Sequence, residues 1–191
     1  MKTQYTARLV LRAYRPEDLA AHHSLLQDEA AMRFLPELRT HTLAQSRANL
    51  EHAMAQAEEK ARTETFFAVA LRETGGYIGS AGYTEVEKTP AGKVVHVGYF
   101  YLPAHHGRGY ATEALAAVLR YAFVEDGVCR ANTGCFAENV ASARVMEKCG
   151  MVRQLGHSAQ ALHEGVMKKR LAYVLLRHEW EAAQPPGKAP I

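Results

Sequence analysis

The sequence predicts an α+β fold, a mixed α/β arrangement in which about four helices flank one central mixed sheet. Segments rich in β-branched and aromatic residues alternate with segments whose apolar residues recur at helical spacing. The resulting order is β-α-α-β-β-β-α-β-α-β-β. Strand–helix–strand units make neighbouring strands parallel and short turns make them antiparallel, so the sheet contains both kinds of pairing.

The first third of the chain predicts one strand followed by two helices. The strand is "ARLVLRAY", residues 7–14, in which apolar and β-branched residues crowd together. The first helix, "RPEDLAAHHSLLQDE", opens with Pro16 and acidic residues, which are both favourable in a first turn. The second helix, "THTLAQSRANLEHAMAQAEEKA", has Thr42 as its N-cap, and Gln45 completes a capping box.

The middle of the chain predicts three strands and the most strongly amphipathic helix. Residues 65–88, "TFFAVALRETGGYIGSAGYTEVEK", form two strands around the turn "TGG". The third strand, "KVVHVGYFYL", ends at Pro103 because proline cannot continue the hydrogen-bond ladder. The helix "GYATEALAAVLRYAFVEDG" follows, with a wide apolar stripe and Gly127 at its C-cap.

The last third predicts a strand, a short helix and two more strands. These are "VCRANTGCF" (128–136), "NVASARVMEKCG" (139–150), "MVRQLGHS" (151–158) and "MKKRLAYVLLRHEW" (167–180). The end of the chain, "AAQPPGKAPI", is low in complexity, so residues 181–191 are expected to be disordered. Residues 6–180 are therefore predicted to form a single domain.

Composition narrows the class of protein. No apolar run approaches the ~20 residues that span a membrane, and a secretory signal is not expected. The three cysteines show no CxxC spacing, which disfavours a disulfide framework or zinc site and favours a cytoplasmic location. The formal charge of +3 suits an anionic ligand but does not indicate nucleic acid binding.

The stretch "YLPAHHGRGYATEAL" combines the end of a strand, a glycine-bearing turn and the start of a helix. The first N–H groups of a helix have no intrahelical partner and carry the positive end of its dipole, which favours anions. Gly107 and Gly109 allow a phosphate to approach the backbone, and Arg108 lies between them. The adjacent His105 and His106 cannot easily converge on one ion, so no metal is predicted.

Several ordered motifs resemble the GCN5-related N-acetyltransferase (GNAT) superfamily. "HHGRGYATEAL" resembles its acetyl-CoA-binding motif, Gln/Arg-x-x-Gly-x-Gly/Ala, with His106 in place of the usual Gln or Arg. "AENVASARVMEKCGM" and "ARLVLRAYRPEDL" are similar to a helix and the opening strand of its ribosomal-protein-alanine acetyltransferase (RimJ/RimL-like) branch, and "YVLLRHEW" to the last strand. The resemblance runs from about Thr6 to Trp180.

The resemblance implies the GNAT fold, a mostly antiparallel sheet with a splayed central strand, and acetyl-CoA as co-substrate without a metal. In this family the turn binds the diphosphate, and the pantetheine arm pairs with the splayed strand, where a backbone N–H near Phe100 or Tyr101 polarises the thioester. The residues implied for cofactor binding are Tyr101, Leu102, His106, Gly107, Arg108, Gly109, Tyr110, Ala111, Thr112, Asn139 and Ser142.

The resemblance also implies catalytic roles. Relatives often read Glu-Ile-Gly-Tyr on the central strand, where this chain reads His96-Val97-Gly98-Tyr99, so His96 is the candidate base that accepts the amine proton. The alternative is that water accepts the proton and His96 is only a half-buried strand residue. Glu85 is a second candidate base, and Ser142 is expected to donate to the departing thiolate.

The predicted acceptor is a primary amine, either a protein N-terminus or a small amine such as a polyamine, amino acid or antibiotic. Phe34, Leu35 and Pro36 are expected to line its site, with core packing as the alternative. The run "MKKR" is expected to be a solvated edge, although Lys169 could favour an acidic substrate. A non-catalytic acyl-CoA-binding regulator is the rival function, and the sequence allows either a monomer or a homodimer.

Overall fold

The computed structural model of the chain describes residues 1–155, 160–163 and 165–184. Its strands are β1 Gln4–Tyr5, β2 Leu9–Arg12, β3 Glu64–Leu71, β4 Tyr77–Thr89, β5 Gly92–Tyr101, β6 Val128–Phe136, β7 Val152–Arg153, β8 Gln160–His163 and β9 Val166–Leu176. Its helices are α1 Leu19–Gln27, α2 Glu29–Met32, α3 Leu43–Glu58, α4 Tyr110–Glu125, α5 Val140–Lys148 and α6 Arg177–Ala182. None of the helices in these ranges is long and apolar enough to cross a membrane.

The strands form one sheet in the order β1-β2-β3-β4-β5-β6-β9-β7, and β8 pairs with β9 outside this path. Only β5 and β6 pair in parallel, while the other described pairs are antiparallel. The parallel pair arises because α4 connects β5 to β6, as a crossover between parallel strands requires. The predicted fold class, a mixed and mostly antiparallel sheet flanked by helices, is confirmed.

The sheet opens in its centre. The parallel register between β5 and β6 runs only from Lys93–Val128 to His96–Asn132. Beyond that point the Thr133 hydroxyl donates to the Val97 carbonyl at 3.0 Å, and no further backbone pairing joins the two strands within the described residues. This β5–β6 gap leaves backbone groups of both strands without a strand partner.

Helices cover the two faces of the sheet and bury two apolar clusters. Helices α4 and α5 pack on one face, where Leu115, Val118 and Met146 are almost completely buried. Helices α1 and α3 pack on the other, around Leu25 and Leu50. The β5–β6 gap is therefore reached between α4 and α5 from one face and beside α1–α3 from the other.

Cap residues set the helix bounds much as predicted. The Thr42 hydroxyl accepts from the Gln45 N–H at 3.2 Å, and the Gln45 side chain accepts from the Thr42 N–H at 3.1 Å. Gly127 and Gly150 follow α4 and α5 with φ of 66° and 81°.

His22 is a packing residue: its ring bonds the Tyr77 hydroxyl at 3.0 Å and the Asn49 amide oxygen at 2.8 Å.

Some elements differ from the prediction. The short strands β1 and β8 were not predicted, and β7 covers only two residues of the strand predicted over 151–158, of which 156–159 lie outside the described residues. The last strand ends at Leu176 rather than Trp180, because α6 begins there, with the Glu179 carboxylate accepting from the Leu176 N–H at 3.1 Å. Residues 185–191 of the predicted tail also lie outside the described residues.

Candidate active site

The turn between β5 and α4 presents backbone N–H groups at a helix start. A short 3₁₀-helix, Pro103–His105, follows β5, and α4 begins at Tyr110 without a side-chain cap. Gly107 and Gly109 adopt φ of 72° and 79°, the left-handed region that favours glycine. A Cβ on Gly107 would meet no atom within 4 Å, so the space above this residue is open to a ligand. The arrangement suits an anion.

His106, although exposed, braces this turn by a hydrogen bond to the end of β5. Its Nε2 lies 2.8 Å from the Tyr101 carbonyl oxygen, so the ring donates to the end of β5. One ring nitrogen is thus occupied within the protein at the position where the family motif carries Gln or Arg. The glycine backbone and the start of α4 remain as the groups of the turn that suit an anion.

Arg8, which the sequence reasoning did not select, holds the same turn from the N-terminal strand region. Its Nη1 donates to the Arg108 carbonyl at 2.9 Å, and its Nε donates to the Glu113 carboxylate at 2.7 Å. Although burial opposes it, hydrogen bonds from Thr6 and Arg8 lower the pKa of Glu113, so this carboxylate is charged near neutral pH. Glu113 is therefore an anchor of the first turn of α4.

The open edge of β5 has a defined set of backbone groups. The Leu102 N–H donates to the Ile78 carbonyl of β4 at 2.9 Å. Alternate residues of an antiparallel strand bond to the same neighbour, so Phe100 also faces β4. The backbone of Tyr99 and Tyr101 consequently faces the β5–β6 gap. Phe100 and Tyr101 are the two residues predicted to supply an N–H to a thioester. The backbone N–H of Tyr101 points into the gap, and that of Phe100 does not.

The start of α5 places a hydroxyl pair at the gap. The Asn139 side chain caps the helix by accepting from the Ser142 N–H at 3.2 Å. The Tyr99 hydroxyl lies 2.9 Å from the Ser142 hydroxyl and donates to the Ser142 carbonyl at 3.1 Å. Burial raises the pKa of Tyr99, so its hydroxyl keeps its proton near neutral pH. Tyr99 follows His96 by three residues but was not predicted as a site residue.

His96 stands where the gap begins. It is the last residue of β5 in parallel register with β6, opposite Asn132, and it also faces Thr84 of β4. By strand alternation its side chain shares the α1–α3 face with Phe100. Partial loss of hydration and then the positive charge of Arg170 lower the pKa of His96 below its ordinary value of 6.5, so the exposed ring is neutral near pH 7.

Glu85, the second candidate base, lies apart from His96. It is opposite Val95 on β4, and its side chain therefore points to the α4 face of the sheet. Its carboxylate lies 3.4 Å from the Lys88 ammonium and 3.7 Å from the Lys93 ammonium. Glu85 belongs to a group of paired charges, and the structure does not bring it to the face that His96 occupies.

The three predicted acceptor-lining residues separate in space. Phe34 stacks on His163 with ring centroids 5.5 Å apart and lies 6.3 Å from Phe136, near the end of β6. Leu35 packs into the apolar cluster of α1 and α3, and Pro36 is exposed at the start of a 3₁₀-helix. Only Phe34 joins an aromatic group beside the β5–β6 gap.

A cavity of about 110 Å³ opens on the α3 side of the sheet, which the sequence reasoning did not anticipate. Phe66 and Phe100 line it together with Ser80 of β4. A His52–Glu64 pair with 3.1 Å between Nε2 and Oε2 stands at its polar side. This cavity extends the face that carries His96 towards α3.

The buried Cys135 and the half-buried Cys149 do not form a nucleophilic site. Burial raises the pKa of Cys135, and it raises that of Cys149 to about 12. Thiolate, the nucleophilic form, is therefore scarce at neutral pH. Among residues 1–155, 160–163 and 165–184, no group of three or more His, Cys, Asp or Glu side chains could hold a metal ion.

Comparison with known proteins identifies related sequences and folds. The family described as "Acetyltransferase (GNAT) domain" matches residues 8–152. The "Uncharacterized N-acetyltransferase YnaD" of Bacillus subtilis is 29% identical over 176 residues, covering 92% of this chain and 97% of that protein.

Two solved structures show the same fold. The spermidine N-acetyltransferase from Vibrio cholerae, solved in complex with CoA and spermine, has a TM-score of 0.78 at 18% identity, covering 92% of this chain and 99% of that one. The ribosomal-protein-S5-alanine acetyltransferase from Vibrio fischeri has a TM-score of 0.79 at 17% identity, covering 97% and 100%. At these identities the similarity shows the fold alone.

Proposed function

The chain belongs to the GNAT family and is an N-acetyltransferase, and on this premise we propose that it transfers the acetyl group of acetyl-CoA to a primary amine in a ternary complex. The observation that carries the proposal is the β5–β6 gap, which runs from His96 to the glycine turn at the start of α4. One elongated cofactor can occupy the gap and the turn together. CoA has the required parts, since a thioester arm leads to a diphosphate.

The turn would hold the diphosphate and the gap would hold the arm. Backbone N–H groups of residues 107–112 and the positive end of the α4 dipole suit the diphosphate charge. The backbone of Tyr99 and Tyr101 would pair with the amides of the pantetheine, as an added strand would. Asn139 and Ser142 stand on the opposite side of the gap, at the start of α5.

The chemistry needs a neutral amine, a stabilised oxyanion and a protonated leaving group. The amine nitrogen attacks the thioester carbon, and its proton passes to His96 directly or through water. A backbone N–H of the gap stabilises the tetrahedral oxyanion. When the C–S bond breaks, the Ser142 hydroxyl, which lies 2.9 Å from the Tyr99 hydroxyl, donates a hydrogen bond to the thiolate, and the thiolate takes its proton from solvent.

Direct attack fits the described residues better than a covalent acetyl-enzyme. The thiols of Cys135 and Cys149 stay protonated, so neither provides the activated nucleophile that a ping-pong route requires. The acceptor is proposed as a primary amine on a protein N-terminus or a small molecule. The two similar folds carry names for these two acceptor kinds, a ribosomal protein and spermidine.

The test is thiol release from acetyl-CoA across N-terminal peptides, amino acids and polyamines. We expect acceptor-dependent release, an acetylated product by mass spectrometry, and loss of turnover in Ser142→Ala with CoA binding retained. Acetyl-CoA binding without release for any acceptor would instead support a non-catalytic acyl-CoA-binding regulator.

A further inference from the structure

Arg170 is a positively charged side chain at the mouth of the β5–β6 gap, and it has no counterion in the part of the chain that the structure describes. It lies on β9 directly opposite Phe136, the last residue of β6. Its guanidinium carbon sits 5.3 Å from the centre of the Phe136 ring, and the residue is half-buried. Within residues 1–155, 160–163 and 165–184, no carboxylate pairs with Arg170.

Arg170 lies on the same face of the sheet as His96, the proposed proton acceptor. Phe136 and Asn132 alternate on β6 onto the same face, and Asn132 is the partner of His96, so Arg170 and His96 share that face. The nearby Glu138 carboxylate is held by the Lys168 ammonium at 2.8 Å. Glu138 therefore pairs with Lys168 and not with Arg170.

A half-buried arginine without a carboxylate partner keeps its guanidinium available to a negatively charged ligand. The planar guanidinium matches a carboxylate through two parallel hydrogen bonds, and stacking on Phe136 fixes its plane. A polyamine, which is a polycation, would be repelled at this position. The geometry selects an acceptor that carries a negative charge near its amine.

We propose that Arg170 binds a carboxylate of the acceptor, so that the enzyme acetylates carboxylate-bearing amines, namely amino acids or peptides with an acidic residue near the N-terminus. This inference rests on the proposed function and names the substrate class of the same site. The sequence indicates Lys169 as the residue that could favour an acidic substrate, whereas we assign this role to Arg170. Lys169 lies one residue earlier and points to the opposite face.

Binding of such an acceptor would also act on His96. The positive charge of Arg170 lowers the pKa of His96 in the free protein. A carboxylate bound at Arg170 would offset this charge and make the imidazole a stronger base. The proton acceptor would then be most basic when the correct substrate is bound.

The experiment compares matched acceptors in matched variants. kcat/KM is measured for amino acids against their carboxamides, and for peptides starting with Glu against the same peptides starting with Gln. The variants are Arg170→Gln and the control Lys169→Gln, which removes the same charge from the exposed opposite face of the same strand. Thermal melting of both variants establishes that each is folded.

We expect the wild type to prefer the acid of a pair, and Arg170→Gln to reduce the acid-to-amide ratio by about tenfold or more. Comparing ratios cancels the different amine pKa values of acid and amide. Lys169→Gln should keep the wild-type ratio. The pair that responds tells whether the carboxylate belongs to a free amino acid or an acidic peptide.

Other results separate failure of this inference from failure of the proposed function. If amides and polyamines are acetylated and Arg170→Gln keeps the wild-type acid-to-amide ratio of kcat/KM, the carboxylate site is wrong. The proposed acetyltransferase activity would still hold. An equal loss in Lys169→Gln would overturn the carboxylate site too, because the effect would then come from net charge. No turnover with any acceptor would overturn both.

Discussion

His96 is the side chain whose chemistry at the mouth of the gap can be tested most directly. Its pKa lies below the ordinary value of 6.5, so in the free protein the neutral ring predominates at pH 6.5 and the protonated ring forms in more acidic solution. A neutral imidazole can accept the amine proton, so kcat/KM, which reports the free protein, should fall more steeply once the pH drops below 6.5 and the ring gains a proton. His96→Gln should lower kcat about a hundredfold and remove this inflection.

The exposed His178 of α6 provides the matched control for that experiment. His178→Gln removes an imidazole from the surface and should leave both kcat and the pH profile unchanged. Should His96→Gln retain the inflection, another group titrates there, and water becomes the proton acceptor.

At the scale of single residues, sequence order predicted the groups that lie close together in the chain. His96, Ser142 and the turn at 106–112 could be selected because their spacing follows a family motif. Arg8, by contrast, reaches Glu113 from 105 positions away, and Tyr99 reaches Ser142 across 43. Such partners depend on the sheet register, which local patterns do not encode.

At the scale of elements, the longer helices were predictable, and the short strands and the short helix α6 were not. A helix carries its own start and stop signals, as Thr42 and Gly127 illustrate. The strands β1 and β8 have two and four residues, and they exist because β2 and β9 offer partners. The sequence predicts strand as far as Trp180 because the apolar residues of β9 run directly into the first turn of α6.

The glycine turn before α4 allows a test of its role as an element. Gly107 and Gly150 have φ of 72° and 81°, and a Cβ on either meets nothing within 4 Å. Alanine at each position should therefore cost a similar ~1 kcal/mol or more of unfolding free energy through left-handed strain. Of the two variants, only Gly107→Ala should weaken CoA binding, by about tenfold, because only Gly107 lies in the glycine turn before α4, where a Cβ would occupy the space open to the ligand.

Calorimetric titration with CoA and thermal melting of both variants measure these quantities. Gly150 closes α5 and is the control for backbone strain alone. Equal loss of affinity in both variants would show that strain, and not access to the turn, governs binding.

At the scale of the whole molecule, the sheet consists of two parts that meet at one short parallel contact. Among the described residues, strands β1–β5 and strands β6–β9 share only the backbone pairing from Lys93 to His96, and α4 and α5 pack across the join. A ligand in the gap would contact both parts. Its binding should therefore stabilise the protein as a unit.

This coupling predicts a thermal shift with a specific dependence on ligand length. CoA at about a hundredfold excess over its dissociation constant adds about 2.7 kcal/mol to the unfolding free energy, which raises Tm by about 5–10 °C for a chain of this size. ADP reaches only the turn and pantetheine only the gap, so each at the same concentration should give a much smaller shift. Differential scanning fluorimetry gives the three shifts, and hydrogen exchange should slow at the Tyr99 and Tyr101 amides with CoA and pantetheine but not with ADP. If ADP alone reproduced the full CoA shift, the gap would contribute nothing to binding, and the assignment of the pantetheine arm to β5 would be wrong.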